Sequence, residues 1–189
     1  RAAGAGEAVA RRAVGTRGTE APSAMPDLKN LSPNQADFVR RMWPQAMLAE
    51  QSTGVPAAFV VGQAALESGW GRSEIRNADG SSSHNLFGIK AGRNWRGPVA
   101  EAVTTEYVDG KPRKQVERFR AYGSYAEAFQ DWAGLMASNP RYRGVLNAGS
   151  SVEGFAAGMQ RAGYATDPAY GAKLEKTINR ALMLKRLVT

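Results

Sequence analysis

The chain has 189 residues, no cysteine, a single histidine and a formal net charge of +8. The lack of cysteine excludes disulfides, thiolate catalysis and cysteine-based zinc sites, and one histidine cannot build a histidine-rich metal site. We therefore expect no cofactor. The basic balance favours an anionic partner, but the basic residues are scattered rather than clustered, so we predict no nucleic-acid partner. No apolar run approaches the ~20 residues that a membrane span requires.

Residues 1–27 are rich in Ala, Gly, Arg, Thr and Pro and show no hydrophobic periodicity. This composition predicts a flexible linker or tail, with one domain over residues 28–189. The segment has no apolar core of the kind found in signal peptides, so none is predicted. Because the first residue is Arg1 rather than Met, we expect a fragment or a processed form.

Two helices are predicted first along the chain. The sequence of residues 32–35, Ser-Pro-Asn-Gln, supplies an N-cap, a proline at the first helical position and a glutamine at the third. Pro44 is expected to kink or split this helix, and Gly54 to end it. Pro56 opens the second helix, which is predicted to end at Glu67 or at the next residue.

A long irregular segment over residues 69–98 comes next, and long ordered loops are often functional. Residues 99–108 and 113–121 are predicted strands, joined by a two-residue turn at Asp109-Gly110. Three more helices are predicted from their start signals, Ser124-x-x-Glu127, Ser150-x-x-Glu153 and Asp167-Pro168. The fold class predicted from this order is α+β, mostly helical with one hairpin.

Glu67 is the only charged residue between Gln51 and Gly71. It closes the second predicted helix, where burial and the carbonyl end of the helix both favour the protonated form of a carboxyl. A carboxylic acid that keeps its proton near neutral pH can act as a general acid. The ordinary alternative is a solvated glutamate with no role, since glutamate is rarely buried. Because the residues around Glu67 are uncharged, a functional role is the preferred interpretation over a solvated glutamate.

The hairpin offers a second carboxylate, which glycoside hydrolysis usually needs. Side chains alternate along a strand, so Glu101 and Glu106 face opposite sides. The predicted turn places Glu106 opposite Arg113 on the other strand. A neighbouring arginine favours the charged form of a carboxylate, as a base or charge stabiliser requires. From spacing alone, a solvated cross-strand ion pair is the preferred interpretation.

Many aromatic residues lie in or beside predicted loops, where they can stack on the apolar faces of sugar rings. We predict Trp70 and Tyr122 as substrate-binding residues, whereas core packing is the better interpretation for Trp132. Tyr164 follows Gly163 in a turn between two helices, which makes a site role more plausible. His84 has no partner implied by spacing and is predicted to lie at the surface.

Five ordered motifs together resemble glycoside hydrolase family 73, the β-N-acetylglucosaminidases of peptidoglycan. They are Ala64-Ala65-Leu66-Glu67-Ser68-Gly69-Trp70-Gly71, Asn85-Leu86-Phe87-Gly88-Ile89-Lys90, Thr104-Thr105-Glu106-Tyr107, Phe119-Arg120-Ala121-Tyr122 and Ala162-Gly163-Tyr164-Ala165-Thr166-Asp167-Pro168. The similarity covers about residues 33–182 and leaves residues 1–27 outside it.

The resemblance implies a lysozyme-like fold, with a helical lobe and a small hairpin lobe flanking a glycan cleft. It carries the general-acid role onto Glu67, and Glu106 matches the acidic residue of the family's hairpin, as base or charge stabiliser. Tyr164 matches a tyrosine near the catalytic acid and is predicted to be catalytic. Asn85 and Phe87 match a stretch that lines the cleft floor, which implies substrate contacts.

The motifs also resemble family members associated with the flagellar rod of Gram-negative bacteria, whose longer chains carry an N-terminal rod-assembly domain. The resemblance therefore implies peptidoglycan glycan strands as substrate and flagellar rod proteins as partners. It also implies a periplasmic location, reached through the flagellar export apparatus without a cleaved signal peptide.

The predicted reaction is hydrolysis of the β-1,4 bond between N-acetylglucosamine and the following N-acetylmuramic acid, opening the cell wall for rod assembly. A lytic transglycosylase, which uses one glutamate and yields a 1,6-anhydro sugar, is the first alternative. The second is a non-catalytic glycan-binding or rod-scaffold module, which binds sacculi without turnover. Mass spectrometry of the product ends distinguishes the hydrolase from the lytic transglycosylase.

Overall fold

The computed structural model describes residues 32–188, so the tail predicted at residues 1–27 lies outside the described residues. The boundary predicted at residue 28 stays a prediction. Within the described part, the helices are α1 Pro33–Thr53, α2 Ala57–Ser68, α3 Tyr125–Ser138, α4 Arg143–Leu146, α5 Val152–Arg161 and α6 Tyr170–Val188. The strands are β1 Val99–Val108 and β2 Lys111–Arg120, and a 3-10 turn covers Pro140–Tyr142. The α+β prediction is confirmed.

The first helix begins and ends as its sequence signals predict. The Ser32 hydroxyl accepts a hydrogen bond from the Gln35 amide at 3.4 Å, and Gly54 adopts a left-handed φ of 76° at the other end. Of the kink or split expected at Pro44, the split is wrong, because α1 is one element. Buried residues on both sides of the proline, from Phe38 to Ala49, hold the two halves against one core, which offsets the single backbone bond that proline removes.

The second helix is buried on nearly every side. All of its residues except Leu66 are buried, and it packs against α1 and α6. Gly62 allows the close approach of α6, because a Cβ atom there would lie 2.6 Å from the Cγ1 atom of Ile178. A helix that is apolar all round belongs in the centre of a domain. Its polar residues, Gln63 and Glu67, are therefore carried into the interior.

The hairpin has the register that the sequence predicted, with Val108 paired with Lys111 and Glu106 paired with Arg113. Asp109 and Gly110 take φ angles of 52° and 75°, as a two-residue hairpin turn requires. The pairing continues up to the turn, so β2 begins at residue 111, two residues before the predicted start.

The segment at residues 89–91 extends the base of this sheet. The Ala91 amide donates to the Arg118 carbonyl at 2.9 Å, and the Arg120 amide donates to the Ile89 carbonyl at 3.0 Å. We refer to the hairpin and the segment over residues 72–98 as the β-lobe, and to the six helices as the helical lobe. The β-lobe has its own small core of Ile75, Ala100, Phe119 and Ala121.

The later helices also begin near their predicted caps. Ser124 accepts from the Glu127 amide at 3.2 Å, which confirms the predicted N-cap, while the Glu127 carboxylate accepts from the Gly123 amide at 2.8 Å rather than from the Ser124 amide. The cap predicted at Ser150 is wrong by one residue, because Ser151 accepts from the Gly154 amide at 3.0 Å instead. Asp167 accepts from the Ala169 amide at 2.8 Å, and the regular turns of α6 begin at Tyr170.

Candidate active site

Glu67 lies in the last turn of α2 and is only 5% exposed. The next residue, Ser68, closes the helix, since its hydroxyl donates to the Ala64 carbonyl at 2.6 Å and accepts from the Gly71 amide at 3.0 Å. The carboxyl is therefore held in the interior at the negative end of a helix dipole. Both surroundings favour the neutral acid over the carboxylate.

The chain turns sharply after Glu67. Gly69, Trp70 and Gly71 have φ angles of 58°, 57° and 79°, so three consecutive residues are left-handed. Such a φ costs a residue with a Cβ roughly 1–2 kcal/mol. The Trp70 ring is half-buried and packs edge-on against Phe38 with centroids 6.0 Å apart. Trp70 thus closes the core beside the end of α2 and keeps part of its ring accessible.

Tyr164 comes close to Glu67 from the loop between α5 and α6. It is fully buried, its hydroxyl donates to the Phe87 carbonyl at 2.8 Å, and its ring stacks on Tyr170 at 5.9 Å. Burial, together with the nearby Tyr170 and Glu67 charges, raises the pKa of Tyr164 well above its ordinary value. Tyr164 is therefore a neutral hydrogen-bond donor within electrostatic range of Glu67.

Gln63 forms a buried polar layer one helical turn before Glu67. It is 0% exposed, accepts from the Trp132 indole at 2.7 Å and donates to the Tyr170 hydroxyl at 2.9 Å. Helical spacing alone places Gln63 on the same face of α2 as Glu67. The signal that could have identified it was a glutamine inside an otherwise apolar helix.

Glu106 is buried on the hairpin and 4% exposed. Lys90 Nζ lies 3.1 Å from its Oε1 atom, and the Thr166 hydroxyl donates to its Oε2 atom at 2.8 Å. The prediction of a solvated ion pair with Arg113 is wrong. Arg113 lies opposite in register but extends into solvent, so the positive charge comes instead from the segment that pairs beside β2.

Asn85 and Phe87, predicted to contact substrate, are both enclosed by the protein. Asn85 is 2% exposed and its amide nitrogen donates to the Ile89 and Arg120 carbonyls at 2.9 and 2.8 Å. Its oxygen accepts from the Phe87 and Ile89 amides. The Phe87 ring stacks on Trp132 at 5.6 Å. This geometry supports a role in shaping the loop rather than in touching substrate.

Tyr122 lies between β2 and α3, in a polar and aromatic cluster that joins the β-lobe to α3. It is 8% exposed, and its hydroxyl donates to Asp131 Oδ2 at 2.6 Å. The Trp95 ring is half-buried, and its centroid lies 5.8 Å from that of the Tyr122 ring. The Arg120 guanidinium lies over the Trp95 ring, 4.8 Å from its centroid. His84 is partly buried rather than at the surface, with Nδ1 2.9 Å from the Tyr122 carbonyl.

A helical lobe that buries a carboxyl at a helix end, beside a small hairpin lobe that carries a second carboxylate, defines a lysozyme-like glycoside hydrolase fold. Residues 43–182 match the sequence model of the glucosaminidase family, described as mannosyl-glycoprotein endo-beta-N-acetylglucosaminidase, and the chain belongs to this family. The resemblance to glycoside hydrolase family 73 that the motifs indicated is confirmed.

The chain is 49% identical to peptidoglycan hydrolase FlgJ of Escherichia coli (strain K12) over 143 residues, covering 76% of this chain and 45% of the relative. It is 43% identical to peptidoglycan hydrolase FlgJ of Salmonella typhimurium over 159 residues, covering 84% and 50%. The chain thus spans about half the length of the curated relatives it matches.

Solved structures agree with the sequence relatives. A peptidoglycan hydrolase from Sphingomonas sp. A1 is 50% identical, with a TM-score of 0.72 over 82% of this chain and 95% of that one. The glycoside hydrolase domain of Salmonella typhimurium FlgJ is 42% identical, with a TM-score of 0.66 over 82% and 92%. Among residues 32–188, no helix combines the length and apolarity needed to cross a membrane.

Proposed function

We propose that the protein hydrolyses the β-1,4 bond between N-acetylglucosamine and the following N-acetylmuramic acid of peptidoglycan. Family membership and similarity to relatives named as peptidoglycan hydrolases support this substrate. The observation that carries the proposal is the burial of Glu67 at the end of α2. A carboxyl in that environment keeps its proton for a leaving group.

Glu67 acts in this mechanism as the general acid. It donates its proton to the glycosidic oxygen as the bond to the anomeric carbon of N-acetylglucosamine breaks. The leaving sugar departs with a neutral hydroxyl, and positive charge develops on the anomeric centre. Water then adds to that carbon and gives up one proton, to Glu106 or to solvent, and solvent returns a proton to Glu67 for the next turnover.

Glu106 supplies the negative charge that this reaction needs. An ionised carboxylate near the anomeric centre takes the proton of the attacking water or stabilises the oxocarbenium-like transition state. Its two oxygens are held by the Lys90 ammonium at 3.1 Å and by the Thr166 hydroxyl, which donates at 2.8 Å. We assign Trp70 and Tyr122 to sugar binding, and Tyr164 to positioning the loop beside Glu67.

The proposal is tested by muropeptide release from purified sacculi. Because removal of the acid leaves the leaving group unprotonated, Glu67→Gln should lower kcat by about 10²–10⁴-fold. Glu175→Gln, on the half-buried side of α6, is the matched control and should retain wild-type turnover. Wild-type activity in Glu67→Gln would contradict the general-acid assignment. Product ends with a 1,6-anhydro sugar would show that the chain is a lytic transglycosylase instead.

We also propose that the protein acts in the periplasm, in contact with flagellar rod proteins. The motifs shared with rod-associated family members support this location and this partner class. Fractionation of cells that produce the full-length protein, followed by crosslinking, tests both. Recovery in the cytoplasm alone would contradict the location, and a crosslinked set without rod components would contradict the partner.

A further inference from the structure

Thr166 connects the hairpin to the loop between α5 and α6, and the connection falls on Glu106. The Thr166 hydroxyl donates to Glu106 Oε2 at 2.8 Å and accepts from the Tyr107 amide at 3.0 Å. One side chain of the loop between α5 and α6 therefore fixes both a carboxylate oxygen and the adjacent backbone of β1. Neither contact was visible in the sequence, because 60 residues separate Thr166 from Glu106.

The Tyr107 amide is available for this contact because of the hairpin register. In an antiparallel pair, hydrogen-bonded and non-hydrogen-bonded residue pairs alternate. The pair that flanks the two-residue turn, Val108 with Lys111, is hydrogen-bonded, so the next pair, Tyr107 with Pro112, is not. The amide of Tyr107 thus points away from β2, and Thr166 satisfies it at the open edge of β1.

The loop that carries Thr166 is itself held in place. The next residue, Asp167, is 3% exposed, caps the Ala169 amide and forms an ion pair with Lys173 at 2.8 Å. Two residues before Thr166, the Tyr164 hydroxyl is fixed on the Phe87 carbonyl. Thr166 is therefore presented from a rigid support rather than from a free loop.

Lys90 acts on the same carboxylate from within the β-lobe. Its ammonium lies 3.1 Å from Glu106 Oε1 and 3.7 Å from Glu117 Oε1. Glu106 and Glu117 share one face of the hairpin, so two like charges meet there. One lysine therefore offsets part of the repulsion between the two carboxylates, and it shares Glu106 Oε1 with the Thr104 hydroxyl, which donates to that atom at 3.4 Å.

We infer that Thr166 and Lys90 are positioning residues for Glu106: Thr166 docks the hairpin against the helical lobe, and Lys90 orients the carboxylate and balances its charge. The catalytic consequence rests on the proposed function, whereas the docking itself does not. Loss of either contact should mainly lower kcat, because the carboxylate moves relative to the bound glycan while the binding surfaces stay intact.

The docking is tested by hydrogen exchange at the Tyr107 amide in the whole chain. Thr166→Val keeps the shape but removes the hydroxyl, so exchange at Tyr107 should accelerate by about tenfold. Thr166→Ser keeps the hydroxyl and should restore wild-type exchange. Thr105→Val, on the other face of β1, is the control and should change nothing. Wild-type exchange in Thr166→Val overturns the docking.

The catalytic consequence is tested by steady-state kinetics on solubilised glycan strands. We expect kcat to fall on the order of tenfold to a hundredfold in Thr166→Val and Lys90→Met, with KM nearly unchanged. Lys90→Arg and Thr166→Ser should recover most of the activity. Arg113→Met removes the cation opposite Glu106 in register and should leave kcat unaltered. A loss in Arg113→Met equal to that in Lys90→Met would overturn the specific role of Lys90.

The glycosidase function and the positioning role of Thr166 can be disproved separately. If Glu67→Gln and Glu106→Gln retain full activity, the proposed function is wrong, although Tyr107 exchange still reports the docking. If Glu67→Gln is inactive while Thr166→Val keeps wild-type kcat and wild-type exchange, the glycosidase assignment stands and the positioning role of Thr166 is wrong.

Discussion

Asn85 illustrates how much of the site depends on a single amide. Its side chain makes four hydrogen bonds inside the protein, two donated to carbonyls and two accepted from amides. Those bonds tie the loop that carries Phe87 and Lys90 to the end of β2 at Arg120. A residue in this setting has no capacity left for substrate, and its contribution is to fold the loop.

We predict that Asn85→Asp destabilises the fold although it is isosteric. The new oxygen faces the Ile89 and Arg120 carbonyls, so two donated bonds become two repulsive contacts. The expected loss is about 2–4 kcal/mol of unfolding free energy, since buried polar groups lose their partners. Urea unfolding measures the change, with Asn94→Asp in an exposed loop as the control. An equal effect in the two variants would refute the argument.

At the scale of elements, the packing of α2 against α6 depends on Gly62. An alanine Cβ there would lie 2.6 Å from Ile178 Cγ1 and 2.8 Å from its Cα atom, so backbone would have to move. We predict that Gly62→Ala costs about 1–3 kcal/mol of unfolding free energy. Urea unfolding measures this cost.

The matched control for that prediction has the opposite sign. Gly134 lies in α3 with nothing within 4 Å of a Cβ atom built on it. Gly134→Ala should therefore stabilise the protein by about 0.5–1 kcal/mol, because alanine loses less conformational entropy in a helix. A destabilising Gly134→Ala would show that helix propensity does not decide the outcome at these positions.

The elements themselves could be predicted where their signals are local. Ser32 and Ser124 cap the helices that they were expected to cap, and Asp109-Gly110 makes the predicted turn. The errors came where two neighbours compete or where packing outweighs a local preference. Ser151 replaces Ser150 as a cap, and the buried contacts around Pro44 keep α1 in one piece.

The contacts that build the site could not be predicted, because they join distant parts of the chain. Strand alternation correctly predicted which face of β1 carries Glu106, but not that Lys90 and Thr166 would meet it. The cross-strand neighbour of Glu106 was predicted correctly, but the ion pair with it was wrong, since register fixes backbone pairing and leaves a long arginine side chain free to extend outward. For the whole molecule, burial and side-chain direction decide charge pairing.

Tyr164 links the two lobes across 77 residues, through its bond to the Phe87 carbonyl. Its pKa is raised well above 10, chiefly by burial. The folded protein therefore keeps a proton that the unfolded chain releases above pH ~10. The stability that Tyr164 contributes is complete below that pH and declines as the pH rises through it.

Tyr164→Phe removes both the hydrogen bond and the titration. We predict a loss of about 1–3 kcal/mol of unfolding free energy at pH 8, because the Phe87 carbonyl is left without its donor. The difference in unfolding free energy between the variant and the wild type should shrink between pH 10 and 11, since only the wild type loses stability through titration of the Tyr164 hydroxyl. Urea unfolding at these pH values checks both, with Tyr107→Phe on the hairpin as the control. A constant difference across the alkaline range would mean that the pKa of Tyr164 is the same in the folded and the unfolded chain, and would contradict the argument.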